Sequence, residues 1–235
     1  MKLAISGTYS SGKTLTVMAL SHYTGLPRTM AKTMREILPD AVPGKTLAEC
    51  SSAEFVQLVV RRHVERAVNE ARLDSFVADG SSLQEWSYGT ARVVYGIDPA
   101  ATADVAEPEK LAQSDEMRYF GEVFAQLGHA FKQHVRDTYD AFVHLRNELP
   151  VRNDGHRPMN DRFRSTCDEM VLSTLAELGV EHHVIGGSVA ERLDTIVGLF
   201  HLTPVMSVEQ AVEKAEIDYG RQDLRLETER SGSAA

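Results

Sequence analysis

Short apolar runs alternate along the chain with longer segments whose apolar residues recur every three to four positions. That alternation predicts strands separated by helices. Lys2-Leu3-Ala4-Ile5 reads as a buried strand, and residues 15–22, with Leu15, Val17, Met18, Ala19 and Leu20, read as the helix after it. Gly25-Leu26-Pro27 breaks that helix and admits a short second strand near 26–30. Thr33 to Leu38 reads as a helical turn ended by Pro39, and Pro43-Gly44 as the next turn. Ser51-Ser52-Ala53-Glu54 has the form of a capping box opening a helix to about residue 73. Phe55, Leu58, Val59, Val64, Val68 and Ala71 supply its apolar positions. Phe76-Val77-Ala78 is the third strand and lands on Asp79; Ser82 and Glu85 form another capping box, for a helix through about Tyr95.

Residues 96–113, rich in Ala, Pro and acids, read as an excursion from the domain. A helix over about 114–137 follows, with Met117, Phe120, Phe124, Leu127 and Phe131 on one face as core packing. Residues 141–145 form the fourth strand, 146–160 a polar loop, and 161–178 a helix with Phe163, Cys167, Met170, Val171, Leu175 and Leu178 at helical spacing. Gly179 suits the position just past that helix. A fifth strand spans about 180–185, Gly186-Gly187-Ser188 leads into a helix near 189–200, and Ser207 to Gln210 caps a last helix to about 219. Strands alternating with helices call for a parallel sheet between helical layers. The expected organisation is one domain over 1–219, with 96–137 as a helical excursion, and a flexible tail over 220–235.

The net charge of −9 argues against nucleic acid or an anionic membrane as the main partner, because both select basic surfaces. Two cysteines, Cys50 and Cys167, form no metal-spaced cluster, and no apolar run approaches the ~18 residues of a membrane span. With no signal peptide ahead of the first strand, a cytoplasmic protein is expected.

The chemistry concentrates first at Gly7-Thr8-Tyr9-Ser10-Ser11-Gly12-Lys13-Thr14, which matches the phosphate-binding pattern G-x-x-x-x-G-K-[ST] between a strand and a helix. In that setting backbone N–H groups and a helix N-terminus converge on a triphosphate. Lys13 is expected to bridge the β- and γ-phosphates, and the Thr14 hydroxyl to hold Mg²⁺. Asp79, at the end of an apolar strand, fits the carboxylate that reaches the Mg²⁺ sphere or the acceptor hydroxyl. Arg152, Arg157, Arg162 and Arg164 cluster around Asp154-Gly155 and the start of a helix, where cations are disfavoured by the helix dipole. An arginine-bearing lid over 150–164, facing a polyanion, accounts for them.

Taken together, Gly7–Thr14, Met34-Arg35-Glu36, Asp79, Asp154-Gly155-x-Arg157 and Gly186/Gly187 with Glu191-Arg192-Leu193 resemble the P-loop kinase-type AAA domains, of the kind seen in the ribosylnicotinamide kinase module of NadR. The resemblance covers roughly residues 1–202. It implies a three-layer P-loop NTPase fold of nucleoside- and nucleotide-kinase type, with a five-stranded parallel sheet and the Asp79 strand beside the P-loop strand. It also implies that Lys13, Thr14, Asp79 and the lid arginine serve ATP·Mg²⁺. The long 96–137 segment departs from the pattern and bears on the acceptor pocket.

The reading is therefore an ATP-dependent small-molecule kinase with a nucleoside-like or nucleotide-like acceptor. Arg157, with Arg162 or Arg164, is expected to stabilise the transferring phosphoryl group. The acceptor wall is expected from Arg35 and Glu36 after the second strand, and from Trp86, Tyr88 and Arg92 beyond Asp79, with Trp86 open to either a stacking or a packing role. A homodimer is left open. The alternative is a nucleotide-operated switch; His144-Leu145-Arg146-Asn147 lacks the Asn/Thr-Lys-x-Asp motif usual in guanine-specific switches. A ring-forming ATPase is disfavoured, since no second helical domain follows. His182-His183 point to opposite strand faces, His144 reads as a hydrogen-bonded core or rim residue, and Arg61-Arg62 as a solvated helix face.

Overall fold

Neighbouring residues of the first strand face opposite cores. Leu3 and Ile5 pack into one apolar cluster and Ala4 into another, which is what a strand period of two dictates when both faces are covered. The computed structural model describes residues 1–29, 31–108, 114–150 and 160–221, Arg35 and Ala48 by backbone alone. Its strands are β1 (Lys2–Ser6), β2 (Arg28–Thr29), β3 (Phe76–Asp79), β4 (Ala141–Leu145) and β5 (Glu181–Ile185). Its helices are α1 (Lys13–Thr24), α2 (Met34–Ala41), α3 (Ser52–Glu70), α4 (Ser82–Tyr95), α5 (Asp115–Thr138), α6 (Asp161–Glu177), α7 (Val189–Phe200) and α8 (Val208–Gly220).

All strand pairs are parallel, in the order β2-β3-β1-β4-β5. Val77, Val143 and Leu145 join Leu3 and Ile5 against α1, α7 and α8, whereas Phe76, Ala78 and Phe142 face Val135 of α5 and Val171 and Leu175 of α6. The three-layer α/β fold with a five-stranded parallel sheet is as the sequence predicts. Because β1 lies between β3 and β4, the chain leaving β1 enters the crevice where the strand order reverses, the usual ligand position in such sheets. Among the described residues, no helix is long and apolar enough to cross a membrane.

Four local expectations are corrected. The cap of α4 is Ser81 with Gln84, one residue before the predicted Ser82/Glu85 pair. Glu85 instead points inward, almost fully buried, and pairs with Arg62 Nη1 at 2.7 Å and Arg66 Nη2 at 3.8 Å. Arg62 thereby leaves the solvated face on which it was expected. On α3, Val64 and Val68 are 52% and 47% exposed, because Arg66 and Glu70 take the inward positions. Pro39 lies inside α2, which runs on to Ala41 before Pro43-Gly44.

Arg66 organises the buried charge. It faces Glu70 at 3.7 Å, and Tyr139 donates its hydroxyl to the same carboxylate. Burial alone would pull the Arg66 guanidinium down, but Glu85, Tyr139 and Glu70 outweigh it and hold it above its ordinary value. Burial pushes Glu70 the other way, up from the usual carboxylate range, and Arg66 only partly restrains it. Arg66→Met should therefore cost about 3–5 kcal/mol of stability, because it removes the buried cation that Glu70 faces and that Glu85 shares with Arg62. Chemical denaturation measures it.

The α4–α5 contact is close enough to specify residue size. A Cβ on Gly89 would lie 1.7 Å from Phe124 Cε1. Ala is the better helix former by about 1 kcal/mol, so a neutral site would gain from Gly89→Ala. Here the clash should dominate and destabilise by about 1–3 kcal/mol, seen as a fall of several degrees in a thermal melt.

Candidate nucleotide-binding and phosphoryl-transfer site

The loop between β1 and α1 takes its shape from three left-handed or glycine-only conformations. Gly7 has φ +129°, Ser10 +62° and Gly12 +84°. At Gly7 a side chain is also excluded by space, since a Cβ would lie 2.9 Å from the Leu145 carbonyl oxygen. Gly12 is the N-cap of α1, so the helix starts at Lys13, two residues before its predicted start, and presents its free N–H groups to the loop. Alternation of this kind turns successive amides toward one point and builds an anion nest.

Two side chains of the motif are already seated. Lys13 donates from Nζ to the Thr8 carbonyl at 2.9 Å. Thr14 donates its hydroxyl to Asp79 Oδ2 at 2.6 Å. The parallel register places Asp79 beside Ile5, at the same sheet edge from which the loop departs. The hydroxyl and carboxylate oxygens form a hard-donor pair of the kind that suits Mg²⁺, which takes one or two protein oxygens and completes its shell with phosphates and water. Asp79 is held from behind: Arg66 donates to its backbone carbonyl at 3.3 Å and to that of Gly80 at 2.9 Å.

The arginines expected on the lid divide. Arg157 falls among residues 151–159, outside the described residues. Arg162 donates to the Val105 carbonyl at 2.6 Å, tying the start of α6 to the 96–108 segment. Arg164 is buried and donates from Nε to Thr8 Oγ1 at 3.2 Å and from Nη1 to the Leu149 carbonyl at 3.1 Å. Its guanidinium thus ties Thr8 of the loop to the segment after β4.

The expected acceptor wall is largely taken up by structure. Glu36 closes a capping box with Thr33 at the start of α2, and the Arg35 side chain lies outside the described residues. Trp86 takes the packing alternative: its indole N–H donates to the Phe124 carbonyl at 3.2 Å, and Lys132 Nζ sits 4.5 Å from its ring centre. Arg92 is buried between the rings of Phe55 and Phe163, at 4.5 and 5.3 Å, and donates to the Ile97 and Tyr88 carbonyls. Burial pulls its guanidinium down to about 10, so this cation serves the core and not a pocket wall. Tyr88 remains near the loop, stacked on Phe163 and 6.3 Å from the ring of Tyr9. Burial drives the Tyr88 hydroxyl well above its ordinary value and raises that of Tyr9 too, which keeps both neutral.

Two acidic residues at the site, Glu148 and Asp168, were not singled out from the sequence. Arg192, one of the residues that carry the sequence resemblance, donates from Nη1 to the Ser11 carbonyl at 2.9 Å and stands 3.8 Å from Glu148. Glu148 in turn accepts the Gly187 N–H at 2.8 Å, joining the loops after β4 and β5 to the phosphate loop. His144, fully in the core, contacts Ser6 and Asp168, and Asp168 accepts the Thr8 N–H at 3.0 Å. His182 donates to the Val180 carbonyl and His183 to Glu181, each at 2.9 Å.

A nucleotide-phosphate loop, a facing Asp at the neighbouring strand end and this strand order define the P-loop kinase type of fold. The chain belongs to the AAA domain family, whose model matches residues 2–192. A solved deoxyadenosine kinase from M. mycoides, with dCMP and a flexible dCDP bound, is similar in fold: TM-score 0.53, 11% identity, covering 86% of this chain and 99% of that one. NadR in complex with NR is also similar, with TM-score 0.51 and 14% identity over 83% of this chain and 50% of NadR, so the chain spans half of that protein. A search of curated protein sequences gives no significant match.

Proposed function

We propose that this protein is an ATP-dependent small-molecule kinase that transfers the γ-phosphoryl group to a hydroxyl of a nucleoside-like or nucleotide-like acceptor. The observation that carries the reading is the 2.6 Å bond between Thr14 and Asp79, placed directly beside the amide nest and Lys13. The family and the similarity in fold to nucleoside kinases support it.

In this mechanism the amides of residues 8–14 hold the phosphates, and Lys13 leaves the Thr8 carbonyl for the β- and γ-phosphate oxygens. Thr14 and Asp79 would hold Mg²⁺, which when bound neutralises charge on the phosphates. Asp79, its backbone locked by Arg66, orients the acceptor hydroxyl or takes its proton. Arg157 and Arg162 supply positive charge to the transferring group, and Tyr9 and Tyr88 offer aromatic surface to a planar base. Both cysteines are free and buried, in keeping with work in a reducing cytoplasm.

The test is incubation with ATP·Mg²⁺ and a panel of nucleosides, nucleotides and sugars, read by mass spectrometry. A phosphorylated nucleoside or nucleotide is the expected product. ATP hydrolysis indifferent to every acceptor, and responsive to a protein partner, would favour a switch.

A further inference from the structure

The front of the phosphate loop is held by a polar network that runs from β1 through β4 to α6. Asp168, on α6, accepts the Thr8 N–H at 3.0 Å through Oδ1 and the Thr8 hydroxyl at 3.2 Å through Oδ2. Asn147 donates its side-chain N–H to Oδ2 as well, and its own oxygen lies 3.0 Å from the Thr8 hydroxyl. His144 Nε2 stands 3.3 Å from Oδ1, with Nδ1 3.0 Å from Ser6 Oγ. Arg164 completes the set by donating to Thr8 Oγ1.

One proton arrangement satisfies the histidine and the carboxylate, with the single Thr8 hydroxyl proton shared between Asp168 and Asn147. Ser6 donates to His144 Nδ1, His144 donates from Nε2 to Asp168, and the carboxylate accepts from every side, as only a carboxylate can. The connectivity Ser6–His144–Asp168 is that of a hydrolase triad, but Ser6 is wholly buried and meets no solvent, so the array cannot act on a substrate. What it can do is fix Thr8. The Thr8 amide nitrogen is tied to Asp168 while its carbonyl oxygen is where Lys13 rests. The peptides on both sides of the Thr8 Cα are therefore anchored. Tyr9 adds a second tie to the same helix, its hydroxyl 3.4 Å from the carbonyl of Asn160, the N-cap of α6.

We infer that Asp168 is a positioning residue for phosphoryl transfer: by holding Thr8 to α6 it sets the loop shape from which Lys13 reaches the γ-phosphate. The inference rests on the kinase reading for its effect on turnover, but not for its effect on the loop. Asp168→Ala removes the acceptor of both the Thr8 amide and the Thr8 hydroxyl, and Thr8→Val removes the hydroxyl at nearly constant shape. Each single variant should lower kcat by about 10–100-fold, since sub-ångström misplacement in a pre-organised site is costly, with the acceptor KM nearly unchanged. The double variant should be no worse than Asp168→Ala by more than about twofold, because both act through the same Thr8–Asp168 pair. Wild-type kcat in the single variants, or losses that multiply in the double, would overturn it.

Hydrogen exchange at the Thr8 amide gives a reading independent of activity. Asp168→Ala should speed exchange there about tenfold or more through local opening, while the Asp79 neighbourhood keeps its protection. An unchanged Thr8 rate would refute the anchoring even if turnover falls. If wild-type protein transfers no phosphoryl group but the Thr8 amide responds, the kinase reading fails and the anchor stands.

Discussion

Lys13→Ala is expected to abolish turnover and leave the fold in place. The Lys13 ammonium rests on a loop carbonyl at 2.9 Å and its side chain is only half-buried, so truncation opens no core cavity. Surface substitutions of this kind change stability by about 0.5 kcal/mol or less. The phosphates, by contrast, lose the cation that follows the charge as it shifts in the transition state. Loss of one such contact costs about 3–4 kcal/mol, or roughly a thousandfold in rate. Steady-state kinetics beside a thermal melt separate the two effects. Near-wild-type turnover would remove the nucleotide enzyme from consideration.

Asp79→Asn should lower kcat by about 10²–10⁴-fold while weakening ATP binding far less. The amide is isosteric and can still accept the Thr14 hydroxyl bond, so the loop keeps its local geometry. It can neither take a proton nor offset the charge of Mg²⁺. Calorimetric titration with ATP set against kcat makes the comparison. A variant that matches wild type, or one that unfolds, would make the carboxylate a structural group.

The sheet and its helices could be read from the sequence because each strand is a short apolar run and most helices carry their own capping side chain. Thr33, Ser51, Ser188 and Ser207 all accept from the residue three positions on, and local chemistry of this kind does not depend on the rest of the fold. The α4 cap slipped by one because Ser81 and Ser82 are adjacent, and the choice between them depends on a charge network. Glu85 is drawn inward by Arg62 and Arg66, on a helix over twenty residues upstream in part. The same network turns Val64 and Val68 outward, against the rule that apolar positions mark the buried face.

That the loop, Thr14 and Asp79 come together was legible because the loop is one contiguous motif and Asp79 ends an apolar strand. The support beneath them was not. Asp168 lies 160 positions from Thr8, and Arg192 lies 181 positions from Ser11, so no sequence window holds both partners. One clue was available: strands β1 and β4 pair with Ser6 opposite His144, and a polar residue buried in each of two neighbouring strands at the same register implies a shared bond. The acceptor wall fared worst. Arg92 was read as presented to a ligand and Trp86 as open to stacking or packing, whereas both spend their polar atoms on backbone carbonyls.

Coupling of ATP consumption to acceptor phosphorylation tests the kinase account most directly. With saturating ATP·Mg²⁺, initial ADP formation is followed with and without the acceptor that the panel identifies, and phosphorylated acceptor is counted in the same samples. The account predicts at least a tenfold rise in rate, by the logic that acceptor binding completes the site, and one phosphorylated acceptor per ADP. ADP formed at the same rate with every acceptor, with no phosphorylated product, would contradict it.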